Sequence, residues 1–196
     1  MNMIQKIGNH KKQIILFMGC AGALIAIALY FLGLYPIAVV NGRIITEKQF
    51  RSASAASSFY YENLLKAYNQ GNEDPKRINQ IELQSEILTS LIENELIAQK
   101  LSADLGRELQ YLLNEKLVAV TDSPDLKKNA ATMYGMTWDD FKRQILISQA
   151  MKDILRDQLF LKKEKADDWI SSAEKSANVI LFSLKFKWGG SKVVAR

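Results

Sequence analysis

Between Ile14 and Tyr35 the chain carries 22 consecutive residues without a charge, IILFMGCAGALIAIALYFLGLY. No other feature restricts the possible folds so strongly. At a helical rise of about 1.5 Å per residue, a run of this length matches the ~30 Å hydrocarbon core of a bilayer. The reading is one transmembrane helix over 14–35, an anchor that contains Ile14 and Leu24 and brings Tyr35 to the outer interface. Lys6, Lys11 and Lys12 precede it. The positive-inside rule then places residues 1–13 in the cytoplasm and the main domain outside the cell membrane, periplasmic or cell-surface. Arg43, Lys48 and Arg51 beyond the run pull the other way, with Glu47 among them. A cleaved signal peptide is the competing reading. Its apolar stretch is usually ~7–15 residues and ends at a small-x-small site, and YPIA is a poor one.

The charge balance argues against nucleic acid as a partner. Formal net charge is +5, from 26 Lys+Arg and 21 Asp+Glu. Three of those basic residues lie before the apolar run, so the remainder holds 23 against 21. No basic stretch with interleaved aromatics appears. Cys20 is the single cysteine and His10 the single histidine, one inside the run and one just before it. An intrachain disulfide and the CxxC and HExxH metal patterns are therefore excluded. Cys–His and Ser–His–Asp catalysis lack their base in the main domain. The expectation is a non-enzyme without metal or cofactor. Asp139 and Asp140 form a carboxylate pair in sequence, but a helix start accounts for them without chemistry.

After Pro36, IAVVNGRII reads as a short strand interrupted by a tight turn at Asn41-Gly42. Thr46, with Gln49 three residues on, forms a capping box for a helix over about 47–69. A second helix, about 76–105, has an apolar face wide enough to require contacts on several sides, and Gly106 is placed to end it. Leu109, Leu112, Leu113 and Leu117 mark a third, and a short one reaches Tyr134 and stops at Gly135. Thr137 caps the next, which runs through Phe141, Ile145, Met151, Ile154, Leu155 and Leu159. Another holds Ala166, Trp169, Ile170 and Ala173. In NVILFSLKFKW the period changes to two: Ile180, Phe182, Leu184, Phe186 and Trp188 alternate with polar residues, as in a half-buried strand. Residues 189–196 read as a flexible tail.

Taken in order, VVNGRIITEKQF, EILTSLIENELIAQKLSADLG, YGMTWDDFKRQILISQAMKDIL and ADDWISSAEKSANVIL resemble the chaperone module of SurA-type parvulin foldases, with PrsA-like and PpiD-like membrane-anchored foldases as relatives. The likeness covers about Val39 to Leu184. It departs after Gly106, where RELQYLL continues directly into a helix. It departs again between Leu161 and Ala166, where four residues stand in place of a parvulin domain of on the order of a hundred. The resemblance implies a mainly α fold: an irregular helical chaperone domain over 36–188, with a two-stranded ribbon made by the segments Val39–Ile45 and Val179–Phe186. Prolyl isomerisation is not implied, because the catalytic domain is missing.

The expected function is a membrane-tethered holder of unfolded or newly exported polypeptides. Client-binding candidates are Tyr60, Tyr61, Tyr68, Tyr111, Tyr134 and Trp138; each, on a helical stripe, is also a ready core residue. The alternative is a single-span interaction subunit that docks one specific partner. A hydrolase is disfavoured by the missing histidine. Nothing in the residues specifies an oligomeric state.

Overall fold

Asn41 and Gly42 take positive φ values of 48° and 85°, as a two-residue hairpin turn requires. They join β1 (Pro36–Val40) to β2 (Arg43–Thr46) in the register Val39↔Ile44 and Val40↔Arg43. This computed structural model describes residues 28, 30–68, 79–121 and 123–196. Ile14, Leu24 and most of the expected span lie outside the described residues. Among the described residues no helix is long and apolar enough to cross a membrane.

The end of the apolar run is described. Helical turns close at Leu32 N–H to Ala28 C=O (3.0 Å) and Gly33 N–H to Tyr30 C=O (3.1 Å). Gly33, at φ 65°, then turns the chain into β1. Tyr35 lies in this bend rather than in the helix, stacked on Tyr30 at 5.4 Å between ring centroids. The run is tied to the domain at once: Lys48 N–H donates to Gly33 C=O (2.8 Å) and Glu47 N–H to Tyr35 C=O (3.0 Å).

β1 pairs on its other side with β3 (Val179–Leu181), antiparallel, with Val39 opposite Ile180. Both ends of the folded part therefore meet, as expected, but in a three-stranded sheet of order β2-β1-β3 and not a two-stranded ribbon. The single strand expected over 179–188 is two. β4 (Phe186–Trp188) follows a break and pairs with β5 (Val193–Ala195) in a separate hairpin. The break shifts the alternation. Ile180 faces out in β3 while Phe186, from the same even-numbered series, is buried in β4. The flexible tail is also corrected. Val193 is 3% exposed, and its N–H donates to Thr89 Oγ1 at 2.9 Å. Two small glycines and a short hairpin were enough to return a valine to the core.

Helix α1 (Glu47–Tyr68) begins with the foreseen box: Gln49 N–H donates to Thr46 Oγ1 (3.2 Å) and Thr46 N–H to Gln49 Oε1 (2.8 Å). α2 (Gln80–Leu105) starts on Asn79, whose side chain accepts from the N–H groups of Ile81 and Glu82, and ends at Gly106, φ 53°. α3 (Glu108–Thr121) and α4 (Pro124–Tyr134) follow. α5 (Trp138–Phe141) passes without a break into a π-helical turn (Lys142–Leu146) and α6 (Ile147–Leu161); α7 (Ala166–Ser176) leads back to the sheet.

α2 is the axis of the core. Its first half lies under the sheet, where Leu83, Ile87, Leu88 and Ile92 meet Ile37, Val40, Ile45, Phe186 and Val193. Its second half meets α3 and α6 through Ile97, Leu101, Leu113, Ile154, Leu155 and Leu159, with Trp169 and Ile170 of α7 against them. That division explains the width of its apolar face. A third, smaller cluster of Ala56, Ala130, Met136 and Phe141 joins α1 to α4 and α5.

Candidate functional site

The face of α1 that looks toward α2 is built from Ala53, Ala56 and Ser57, residues at helical i, i+3, i+4 spacing. Helix axes in contact stand about 8–10 Å apart, and side chains this short leave part of that gap unfilled. The result is a groove of about 420 Å³ between α1, α2 and the π-helical turn. Leu83, Ile87 and Ala56, all buried, form its apolar floor. Leu91, Met136, Ile145 and Met151 add adaptable apolar walls. Asn94 Oδ1 is a buried acceptor in the lining without a hydrogen-bond partner among the described residues.

Two contacts hold the walls at this separation. Gln144 Nε2, in the π-helical turn, donates to Ser52 Oγ of α1 at 2.8 Å. Asn63 Nδ2, three turns further along α1, donates to the C=O groups of Thr132 (3.0 Å) and Met133 (3.3 Å) at the end of α4. Gly135 makes the sharp exit from α4 at φ 62°, with the Phe59 ring lying across it; a Cβ there would stand 3.2 Å from Phe59 Cγ. At the mouth, Arg143 is drawn to Asp140 (Nη2 to Oδ1, 2.6 Å). Asp140 also accepts from Thr137 Oγ1 at 2.7 Å, and these two bonds hold its carboxyl below the ordinary range. Thr137 Oγ1 accepts the N–H of Asp140 in turn, which is the capping role expected of it.

The aromatic candidates separate. Tyr61 and Tyr134 line the groove. Tyr60 lies beside them, stacked on Tyr134 at 4.9 Å and 15°. Burial, and then the neighbouring Tyr60, push the Tyr134 hydroxyl pKa up. Trp138 sits behind, stacked on Phe141 at 6.0 Å with Lys127 Nζ 5.6 Å from its ring, and belongs to the third core cluster. Tyr111 stands exposed on α3, away from the groove lining. The side chain of Tyr68 lies outside the described residues. The sequence places Ala53 and Ile145 on apolar helix faces but singles out neither them nor Ser57, Asn94, Arg143 and Gln144 as site residues.

A second cleft, about 470 Å³ between α2 and β5, is lined by Glu82, Ser85, Glu86, Ser90, Glu93 and Lys192 among others. Its lining also includes Ile81, Val193, Val194 and Ala195, and what sets it apart from the groove is the row of charges from Glu82, Glu86, Glu93 and Lys192 along it. Among the described residues no three His, Cys, Asp or Glu side chains gather where they would hold a metal ion. Compared with models of protein families, with curated proteins and with solved structures, the chain matches none.

Proposed function

We propose that this protein is a membrane-tethered, extracytoplasmic chaperone that holds unfolded or newly exported polypeptides without isomerising them. The observation that carries this reading is the groove. It combines an apolar floor, two methionines and an unpartnered amide oxygen in one trough. An extended client would lay apolar side chains over Leu83 and Ile87, between Leu91, Ile145 and Met151. Adaptable apolar surface with few fixed polar contacts gives weak binding and little sequence preference. A tether offsets weak affinity by keeping the site close to chains leaving the membrane. The order of motifs resembling SurA-type foldases supports the same assignment.

The test is aggregation of a denatured, unrelated protein in the presence of the full chain held in lipid nanodiscs. The intact protein slows aggregation at stoichiometric amounts. Ala53→Trp and Ser57→Trp fill the groove from a half-buried position and abolish the effect, while Tyr111→Ala retains it. Absence of any effect from the intact protein would point to a single-span subunit serving one specific partner.

A further inference from the structure

The outer face of the sheet is apolar, and nothing among the described residues covers it. By register, Ile44, Val39 and Ile180 form one cross-strand row. Ile44 is 58% and Ile180 50% exposed. β3 runs antiparallel to β1, and Phe182 N–H donates to Ile37 C=O at 2.9 Å. The chain after β3 is therefore heading for the end of the sheet at which the apolar run arrives. There Phe182 is 55% and Leu184 93% exposed. A monomeric soluble protein rarely leaves such a cluster in water.

The segment that continues from it carries charge of one sign. Lys185 and Lys187 follow Leu184 directly, and no acidic residue lies between Ser176 and Arg196, although Lys192 turns away to the α2–β5 cleft beside Glu82, Glu86 and Glu93. Arg43 is the only charged residue from Pro36 to Thr46. Elsewhere the domain mixes both signs. An apolar row edged by cations matches the layering of an anionic bilayer surface, with acyl chains beneath and phosphates above.

We propose that this sheet face lies on the membrane surface, with Ile44, Ile180, Phe182 and Leu184 entering the headgroup boundary and Lys185 and Lys187 meeting lipid phosphates. The inference rests on the anchor part of the function proposed above. It adds an orientation: the span ends at Gly33, the sheet begins three residues later, and the backbone bonds from Gly33 and Tyr35 to Lys48 and Glu47 leave no free linker to carry the domain away.

The full chain, with Cys20→Ala to remove its only thiol, is given one cysteine at position 44, 180 or 184, or at exposed Tyr111 as a reference, and a nitroxide label. It is reconstituted in mixed phosphatidylethanolamine–phosphatidylglycerol vesicles, and native-like tryptophan emission confirms folding. Relative accessibility to oxygen over a nickel chelate is expected to be several-fold higher at 44, 180 and 184 than at 111, with the contrast reduced in phosphatidylcholine alone. Equal nickel accessibility at all four positions, in a chain that resists carbonate extraction, overturns the docking and leaves the anchor standing. Shielding of 44, 180 and 184 from both reagents, with dipolar broadening between labels, also overturns it, since a second copy then covers the face. Carbonate extraction of the chain overturns both the docking and the tether.

Discussion

Asn41 shows how much one side chain can organise. It holds φ at 48°, a conformation few residues other than glycine accept without strain. From there its Oδ1 accepts the N–H of Asn178 (2.9 Å), its own N–H donates to Asn178 C=O (2.9 Å), and its Nδ2 donates to Gln99 Oε1 (3.1 Å). Gln99 Nε2 returns a bond to Val40 C=O at 3.0 Å. One turn residue thus ties the first hairpin to the entry of β3 and to α2. Asn41→Ala loses the side-chain bonds and strains the turn, and is expected to cost about 2–3 kcal/mol. Asn41→Gly relieves the strain alone and is expected to cost about 1–2 kcal/mol. Denaturant titration followed by tryptophan emission separates the two; equal losses would refute the division. Two carboxylates give opposite pH signatures. Asp140 lies below its ordinary 3.8, so its contribution is present above that value and is lost as pH falls through the depressed one. Glu174 lies above its ordinary 4.5, raised by burial and then by Glu93, so its contribution is present below 4.5 and lost as pH rises through the elevated value. Asp140→Asn should flatten the acid limb of the stability curve, and Glu174→Gln should remove the loss on the way to neutrality.

Among the elements, what could be read in advance was whatever local chemistry dictates. The Thr46 box, the Gly106 and Gly135 stops, the Thr137 cap and the Asn41-Gly42 turn act within a few residues, and all are present. What could not be read was set by tertiary packing. The alternation across 180–188 is real in sequence, but β3 and β4 belong to different sheets with opposite phase. The π-helical turn left no trace. Ile145, Leu146 and Ile147 are consecutive apolar residues that all pack against the core, and their steps to Ala150 and Met151 include the threes and fours of an ordinary α-helix. Arg143, Gln144 and Ile145 of that turn line the groove wall. The groove itself was hard to foresee because it is lined by what α1 lacks; small residues leave no signal in a search for aromatic stripes. β5 was misread because Val193 and Val194 follow two glycines and have no long alternating context. Val193→Ala is expected to cost about 2 kcal/mol, as large-to-small core changes do. Val194→Ala, at a half-buried position, should cost less than half as much; similar losses would mean that β5 is not held through Val193 against α2.

At the scale of the whole molecule, the question is how the domain is joined to the run before it. A domain that follows an apolar run can hang on a flexible stem, and composition alone would not argue against one here. The geometry does. Gly33, at φ 65°, lies where a Cβ would stand 2.8 Å from Arg51 Nη2, so the guanidinium of α1 closes over the turn. Glu47 Oε1 lies 4.0 Å from Arg51 Nε, and burial, opposed by that arginine, raises the Glu47 carboxyl above its ordinary value. Gly33 and Tyr35 carbonyls accept the Lys48 and Glu47 N–H groups, donors that the first turn of a helix leaves without intrahelical partners. The end of the run thus caps α1, and α1 is one wall of the groove. If the run is the proposed anchor, the groove is held at a set angle to the membrane. A glycine-serine linker inserted between Tyr35 and Pro36 breaks these contacts while leaving both parts intact. Time-resolved anisotropy of a probe on Tyr111→Cys, in the Cys20→Ala chain in nanodiscs, should show motion with the disc for the parent and an added fast component for the linker variant. A fast component of equal amplitude in both would refute the rigid joint. Client holding should fall in the linker variant by less than in Ala53→Trp, because the linker alters where the groove is carried and Ala53→Trp alters the groove itself.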